Sequence, residues 1–272
     1  MENTTLWSRN FLLLMCASAM GAVGGIAGSY AMSFLVFDQT GSTLATGFLT
    51  AIQILPHFLL PILVAPWMDR YPRKPFLVWG DVVSGVLFLT AGFYLRRFPF
   101  SYPIYLAFSL LINAINAFDS LAFTCIFPKA IPVGCEDRGY AVSGMLYPIL
   151  NVLIMPLSAF FMDRFGIPNI LLFQGILSLL ATITENSINI EEVTIFGRQK
   201  SGFLQWIQDI IDGFSYLKVE KGLLNIYAYD AVANGAGTAY GPIMVAFFRT
   251  ATGFSAGMYA FFSAAEFIGR TL

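Results

Sequence analysis

The amino-acid sequence predicts an all-α polytopic membrane protein. Hydrophobic residues make up 57% of the 272 residues, whereas soluble domains contain about 45–50%. Phe alone occurs 27 times, and charged residues contribute only 11%. A soluble domain of this length could not bury so much apolar surface, so we expect helices that cross a lipid bilayer.

The composition also argues against several other classes of protein. A formal net charge of -1 provides no basic field for nucleic acid. Cys16, Cys125 and Cys135 lie in or beside apolar runs, and with His57 as the single histidine they cannot form a zinc site. The sequence contains neither a glycine-rich phosphate loop nor a Ser-His-Asp arrangement. We therefore expect no enzymatic activity, metal or cofactor.

Long apolar runs separated by short polar turns set the predicted organisation. Because about 20 apolar residues cross the hydrocarbon core of a bilayer, six runs predict spanning helices at about 11–37, 43–66, 75–95, 102–127, 140–162 and 168–184. Together they define a predicted N-terminal six-helix bundle at 1–184. The first run is too long for the apolar region of a signal peptide, so it predicts a retained helix.

Two of these helices carry distinctive small or helix-bending residues. In the first, Gly21, Gly24, Gly25 and Gly28 share one helix face, which predicts close approach of a neighbouring helix. That face either packs tightly or slides beside a substrate cavity. In the second, prolines around His57 predict a kink. His57 itself is interpreted as a hydrogen-bonded packing residue or, alternatively, as a proton carrier.

A change in composition marks the end of the first bundle. Residues 185–221 are predicted to be a cytoplasmic linker, beginning at Glu185 and containing an amphipathic helix. Its apolar face comprises Phe203, Trp206, Ile207, Ile210, Phe214 and Leu217. Residues 222–272 then predict two further spanning helices, the start of a second bundle. The last is still apolar at Leu272, so we expect an incomplete second bundle.

The distribution of basic residues predicts the orientation. With the N-terminus in the cytoplasm, ten basic residues lie inside and four outside, which satisfies the positive-inside rule. The inside residues are Arg9, Arg70, Arg73, Lys74, Lys129, Arg138, Arg198, Lys200, Lys218 and Lys221; the outside residues are Arg96, Arg97, Arg164 and Arg249. We therefore expect a multi-pass cell-membrane protein with a cytoplasmic N-terminus.

The turn between the second and third helices carries a recognisable motif. Asp69, Arg70, Arg73 and Lys74 fit the charged half of G-x-x-x-D-R-x-G-R-K, although Ala65 and Pro72 replace its glycines. The sequence therefore resembles the major facilitator superfamily over essentially its whole length. Stretches 53–57, 80–81, 127–129 and 212–214 resemble its macrolide-efflux-like branch.

This resemblance implies two six-helix bundles that rock around a central site for a small-molecule substrate. It implies that the motif residues form a gate on the inner side. Twelve helices are expected, so the chain is predicted to end after the eighth and to need the missing C-terminal helices as partners. Where antiporters of the family carry Gly-Pro-x-x-Gly-Gly, residues 155–159 keep only Pro156 of that pattern. The sequence departs here from the proton-antiport pattern.

Ionisable residues within the predicted helices are functional candidates because a charge in the bilayer centre is costly. Asp81 shares a helix face with Arg73 and Lys74, which predicts an ion pair with the gate. Asn113, Asn116 and Asp119 follow one another at intervals of three, a polar stripe suited to the central cavity or to a packing network.

Further candidates lie in the predicted second bundle. They are Asp230, among tyrosines of the seventh helix, and Glu266 with Arg270, four positions apart in the eighth. That spacing allows an intrahelical ion pair. The hypothesis is that Asp119, Asp230 or Glu266 couples proton movement to substrate binding.

The favoured function is secondary transport of small amphipathic molecules, with export as the expected direction. The alternatives are a flippase-like, lipid-handling transporter and an inactive truncated product or membrane interaction module.

Overall fold

A computed structural model describes residues 5–68, 71–190 and 203–271, and in these ranges it contains helices and short turns without any strand. The helices are α1 Arg9–Thr40, α2 Thr43–Met68, α3 Lys74–Arg97, α4 Tyr102–Ala130, α5 Glu136–Phe165, α6 Ile167–Asn186, α7 Phe203–Val219, α8 Lys221–Thr250 and α9 Ala256–Thr271. Of these, α1–α6 are long and apolar enough to cross a membrane. The predicted all-α polytopic fold is therefore confirmed.

Local signals in the sequence account for several helix ends. The Ser8 side chain accepts a hydrogen bond from the Phe11 backbone N–H at 3.2 Å and so caps α1. Gly41, with φ 61°, ends the same helix. Gly166, with φ 77°, lets the chain turn directly from α5 into α6. The turn consists of Gly166 alone, since α5 continues to Phe165.

The first six helices pack as one bundle. Helix α3 lies against α6 and α4, while α1 lies against α5 and α6, and α2 against α4. The backbones of α3 and α6 approach closely at Gly85 and Gly175: a Cβ atom on Gly175 would lie 2.9 Å from the Gly85 carbonyl oxygen. Small residues allow helix backbones to approach this closely.

The glycine face predicted on α1 is used only in part. Gly24 and Gly28 contact the buried side chain of Gln174 on α6, whereas Gly21 and Gly25 have open space where a Cβ would lie. A Cβ atom on Gly24 would also lie 3.5 Å from the Gln174 Cα atom, so α6 approaches α1 closely at this half of the predicted face.

The segment after the first bundle folds back onto it. Helix α9 packs on α5, and α8 contacts α1, α2 and α9. Neither is among the six helices that are long and apolar enough to span, so the membrane crossing of these two remains a prediction.

The predicted amphipathic helix is present as α7, which lies against α2 and α8. Its Trp206 indole N–H donates to the Leu63 carbonyl oxygen of α2 at 2.9 Å. The side chains of Phe203, Phe214 and Leu217, three of the predicted apolar positions, lie outside the described part of the structure. The linker at 191–202 lies outside it as well.

The bundle has two ends, which we name by the helix termini they hold. The inner face holds the start of α1 and the ends of α2, α4 and α6; the outer face holds the end of α1 and the start of α2. At the inner face, the Asn10 side chain donates to the Asn189 carbonyl oxygen at 2.8 Å. At the outer face, Arg249 of α8 pairs with Asp38 of α1. The cytoplasmic location of the inner face remains a prediction.

Two residues lie elsewhere than the sequence indicated. His57 has an exposed side chain, and no hydrogen bond is found for it among the described residues. Glu185 is not the start of the linker: α6 continues to Asn186 and places Glu185 in its last turn, only 4% exposed. The predicted boundary was early because Glu185 and Asn186 are polar, whereas the bundle buries the former.

Candidate transport site

A polar cavity lies where the first bundle meets α9. It measures about 160 Å³ and is bordered by Ile26, Ser29, Tyr30, Ser33, Tyr147, Asn151, Met155 and Tyr259. Ser29 and Ser33 on α1, like Tyr147 and Asn151 on α5, are four positions apart. Residues at that spacing share a helix face, so each helix presents a polar stripe to the cavity.

Asn151 is a deeply buried polar side chain of this cavity. It is 4% exposed, and its side chain is hydrogen-bonded to that of Tyr147. Its Oδ1 atom is buried and accepts no hydrogen bond from the described residues. A buried acceptor without a donor costs about 1–3 kcal/mol, which a ligand or water that donates to it would recover.

Aromatic rings close the outer side of the cavity. Tyr30 of α1 stacks on Tyr259 of α9, with ring centroids 6.1 Å apart and an interplanar angle of 21°. One turn further out, Phe34 packs against Tyr259 at 5.6 Å. Phe248 of α8 also meets Tyr259, at 5.6 Å. This aromatic cluster lies between the cavity and the outer face.

An ion pair lies above the aromatic cluster. Arg249 of α8 pairs with Asp38 of α1, and the Arg249 guanidinium carbon lies 5.2 Å from the centroid of the Phe34 ring. The outer ends of α1 and α8 are thus held together in this structure.

A second buried polar group is a carboxylate cluster that we define as Asp81 of α3, Asp119 of α4 and Glu185 of α6. The three carboxylates are close enough to interact electrostatically. Asp119 lies directly on α3, since a Cβ atom on Gly80 would be 3.5 Å from its Oδ1. Asp119 Oδ1 and Glu185 Oε2 are buried and have no hydrogen-bond partner among the described residues.

One basic residue of the motif lies at the end of α6 that carries Glu185. Lys74, at the start of α3, donates from Nζ to the carbonyl oxygens of Asn186 at 2.8 Å and Ile188 at 2.6 Å. Its positive charge therefore lies at the C-terminus of α6, where the helix dipole is negative. Within the described residues no ion pair joins Asp81 to Arg73 or Lys74, so the predicted pairing is not observed there.

The polar stripe of α4 does not border the cavity. Asp119 turns toward α3 and α6, and Asn113 donates to the Ser109 carbonyl oxygen of its own helix at 2.8 Å. Asn116 is half-buried and is not among the residues that border the cavity. The contact of Asp119 with α3 fits the alternative interpretation, a packing network. A role of the stripe in a central cavity stays a prediction.

The other predicted residues are dispersed. Asp230 is exposed on α8. Glu266 is half-buried on α9 and interacts electrostatically with Tyr259, although it does not border the cavity. The Arg270 side chain and the motif residues Asp69 and Arg70 lie outside the described residues.

The sequence-based candidates omitted the cavity itself and Glu185. Serine, tyrosine and asparagine are unremarkable in membrane helices, and only their four-residue spacing on α1 and α5 could have indicated a shared face. Glu185 could have been recognised as the first acid after an apolar run that α6 extends.

A bundle of helices long and apolar enough to span a membrane, with a polar cavity at its contact with α9, is compatible with the architecture of a membrane transporter. The family model of the Major Facilitator Superfamily matches residues 11–272, and the chain belongs to that superfamily. Comparison with curated proteins and comparison with solved structures each gave no match.

Proposed function

We propose that this superfamily member is a secondary transporter of the cell membrane that exports small amphipathic molecules by alternating access, coupled to proton movement. The observation that carries the proposal is the polar cavity between α1, α5 and α9, the place where the two bundles would rock against each other. The aromatic cluster and the Asp38–Arg249 pair form its outer gate, and Arg73 and Lys74 belong to the inner one.

The carboxylate cluster supports the proton-coupling part of the proposal. A carboxylate inside the membrane without a hydrogen-bond donor costs several kcal/mol, and binding a proton removes much of that cost. The cluster links the inner halves of α3, α4 and α6, and Lys74 lies at the inner end of α6. Proton binding there would change how tightly these three helices associate.

Transport through the cavity can be tested by filling it. In membrane vesicles containing the full-length protein, Ser33→Trp would place a large ring in the cavity, and accumulation of a fluorescent amphipathic dye should be abolished. Cys16→Trp is the matched control, because Cys16 is exposed on the same helix. Equal dye accumulation by Ser33→Trp and wild-type protein would contradict the proposal.

A second candidate function, lipid handling, is favoured by an apolar groove. This groove of about 380 Å³ lies between α1, α5 and α6 and is bordered by Val23, Leu157, Phe161, Ile170 and Phe173, among others. It lies on the α6 side of the α1–α5 contact, whereas the polar cavity lies on the α9 side. An acyl chain suits its apolar walls. Movement of a headgroup-labelled phospholipid between leaflets, blocked by Leu157→Trp but not by Ser33→Trp, would favour this function over export.

A further inference from the structure

The chemistry of the polar cavity restricts the substrate more narrowly than the general proposal of amphipathic export. The cavity offers hydroxyl groups from Ser29, Ser33 and the surrounding tyrosines, together with the carboxamide of Asn151. All are uncharged hydrogen-bonding groups. Both hydroxyl and carboxamide groups pair readily with alcohols and amides.

No charged side chain borders the cavity within the described residues. The Asp38 and Arg249 charges interact with Tyr30 from the outer side, but they pair with each other. Asp163 also interacts with Tyr30 from the outer face, and Glu266 interacts with Tyr259 from further along α9. An ion entering the cavity would lose its hydration without meeting a counter-charge on the cavity wall, which is strongly unfavourable.

The open acceptor on Asn151 adds a second restriction. Its Oδ1 is buried without a donor, so a ligand that carries an O–H or N–H group gains a hydrogen bond there. The Tyr30 and Tyr259 rings provide flat apolar surface on the outer side of the same cavity. A ligand with an aromatic body and a hydroxylated end would satisfy both.

We propose that the cavity binds the uncharged end of the substrate, which donates a hydrogen bond from a hydroxyl or amide group to Asn151 Oδ1, and that molecules charged at this end are rejected. This inference rests on the proposed transport function, since it assigns a substrate class to the same cavity. A substrate of this class differs from those of transporters whose cavities bind organic cations or anions.

Binding to the purified full-length protein in lipid nanodiscs tests this assignment independently of transport. Three probes share an aromatic body and differ at the polar end: benzyl glucoside is neutral and hydroxylated, benzyltrimethylammonium is cationic, and benzylsulfonate is anionic. Titration calorimetry should show saturable binding of benzyl glucoside and at least about tenfold weaker binding of both ions.

Variants of Asn151 locate the interaction. Asn151→Leu should weaken benzyl glucoside binding by about threefold to tenfold, the effect of one lost hydrogen bond. Asn151→Asp keeps the size of the side chain and should shift preference toward benzyltrimethylammonium. Asn113→Leu is the control, because Asn113 bonds within its own helix away from the cavity and should leave all three affinities unchanged.

The possible outcomes distinguish a failure of this substrate assignment from a failure of the proposed transport function. Equal or tighter binding of either ion by the wild-type protein would overturn the inference, even if dye transport occurs. Absence of benzyl glucoside binding, or binding that Asn151→Leu and Asn151→Asp leave unchanged, would also overturn it and would indicate a cavity that holds water only. Selective binding of benzyl glucoside without any transport would support the inference and contradict the proposed function.

Discussion

Arg249 of α8 and Asp38 of α1 form an ion pair at the outer face, 211 positions apart in the chain. The Arg249 guanidinium also lies over the Phe34 ring of α1. This contact joins α1 of the first bundle to α8 above the polar cavity. Opening the cavity outward by separating α1 from α8 therefore requires these interactions to break.

Loss of the pair should increase outward opening. The partners are about one-third exposed, so we assign the ion pair and the cation–π contact together about 1 kcal/mol, or about a fivefold shift in the opening equilibrium. With the native cysteines replaced and a single cysteine introduced at Ser33, Arg249→Gln should make labelling by an impermeant maleimide several-fold faster.

Two controls accompany this prediction. Arg97→Gln removes a charge from the same face and should leave the labelling rate at Ser33 unchanged. The double exchange Asp38→Arg with Arg249→Asp should restore slow labelling. Equal rates for Arg249→Gln and Arg97→Gln would show that the pair does not hold the gate.

Because α3 and α6 are in close contact, we expect one added methyl group between them to lower the stability of the protein strongly. A Cβ atom on Gly175 would lie 2.9 Å from the Gly85 carbonyl oxygen and 2.8 Å from Leu89 Cγ. Gly175→Ala must therefore separate the helices, and we expect a loss of about 1–3 kcal/mol in the free energy of unfolding. Thermal unfolding of the protein in detergent measures this loss.

Gly21→Ala provides the comparison, since nothing lies within 4 Å of a Cβ atom at Gly21. Alanine also favours the helix by about 0.5–1 kcal/mol relative to glycine. The Gly21→Ala protein should therefore be as stable as the wild type or slightly more stable. Equal unfolding temperatures for the two alanine variants would contradict the α3–α6 contact.

The attachment of α7 to α2 predicts a local change in dynamics. Trp206→Phe keeps a ring but removes the donor to the Leu63 carbonyl oxygen, a loss of about 0.5–1.5 kcal/mol. Amide hydrogens of α7 should exchange about threefold to tenfold faster by mass spectrometry, provided that local opening governs their exchange. Tyr216→Phe, at an exposed position of α7, should leave the exchange unchanged; faster exchange in both variants would argue against the bond as the cause.

If protons drive transport through the carboxylate cluster, substitution of its acids should remove the coupling. In proteoliposomes with an imposed pH gradient, Glu185→Gln and Asp119→Asn should lose most gradient-driven accumulation while retaining equilibration down a substrate gradient. Each substitution keeps the shape of the side chain but removes its proton-binding site. Asp230→Asn, at an exposed position, should behave as wild type. Full coupling in both variants would exclude Glu185 and Asp119 from this role.

The helices could be predicted from the sequence more completely than the candidate site could. The first six helices, the turn at Gly166 and the amphipathic helix α7 follow from local hydropathy, length and turn residues. Helix ends were less accurate: α5 begins at Glu136 rather than near 140, because an apolar window stops at a charge that a helix can include. The candidate site was incomplete because the direction of Asp119 and the burial of Glu185 depend on residues far away in the chain.

The sequence by itself determined that the chain is a polytopic helical membrane protein of the Major Facilitator Superfamily. Hydropathy over about 20 residues is a local property, and the motif around Arg73 and Lys74 is contiguous. Only the tertiary structure decided that Asn151 borders a cavity with Tyr259, and that Glu185 meets Asp81 and Asp119 between three helices. The physical reason is that a helix sequence specifies its polar and apolar faces, whereas the neighbour that each face meets is selected by packing against distant helices.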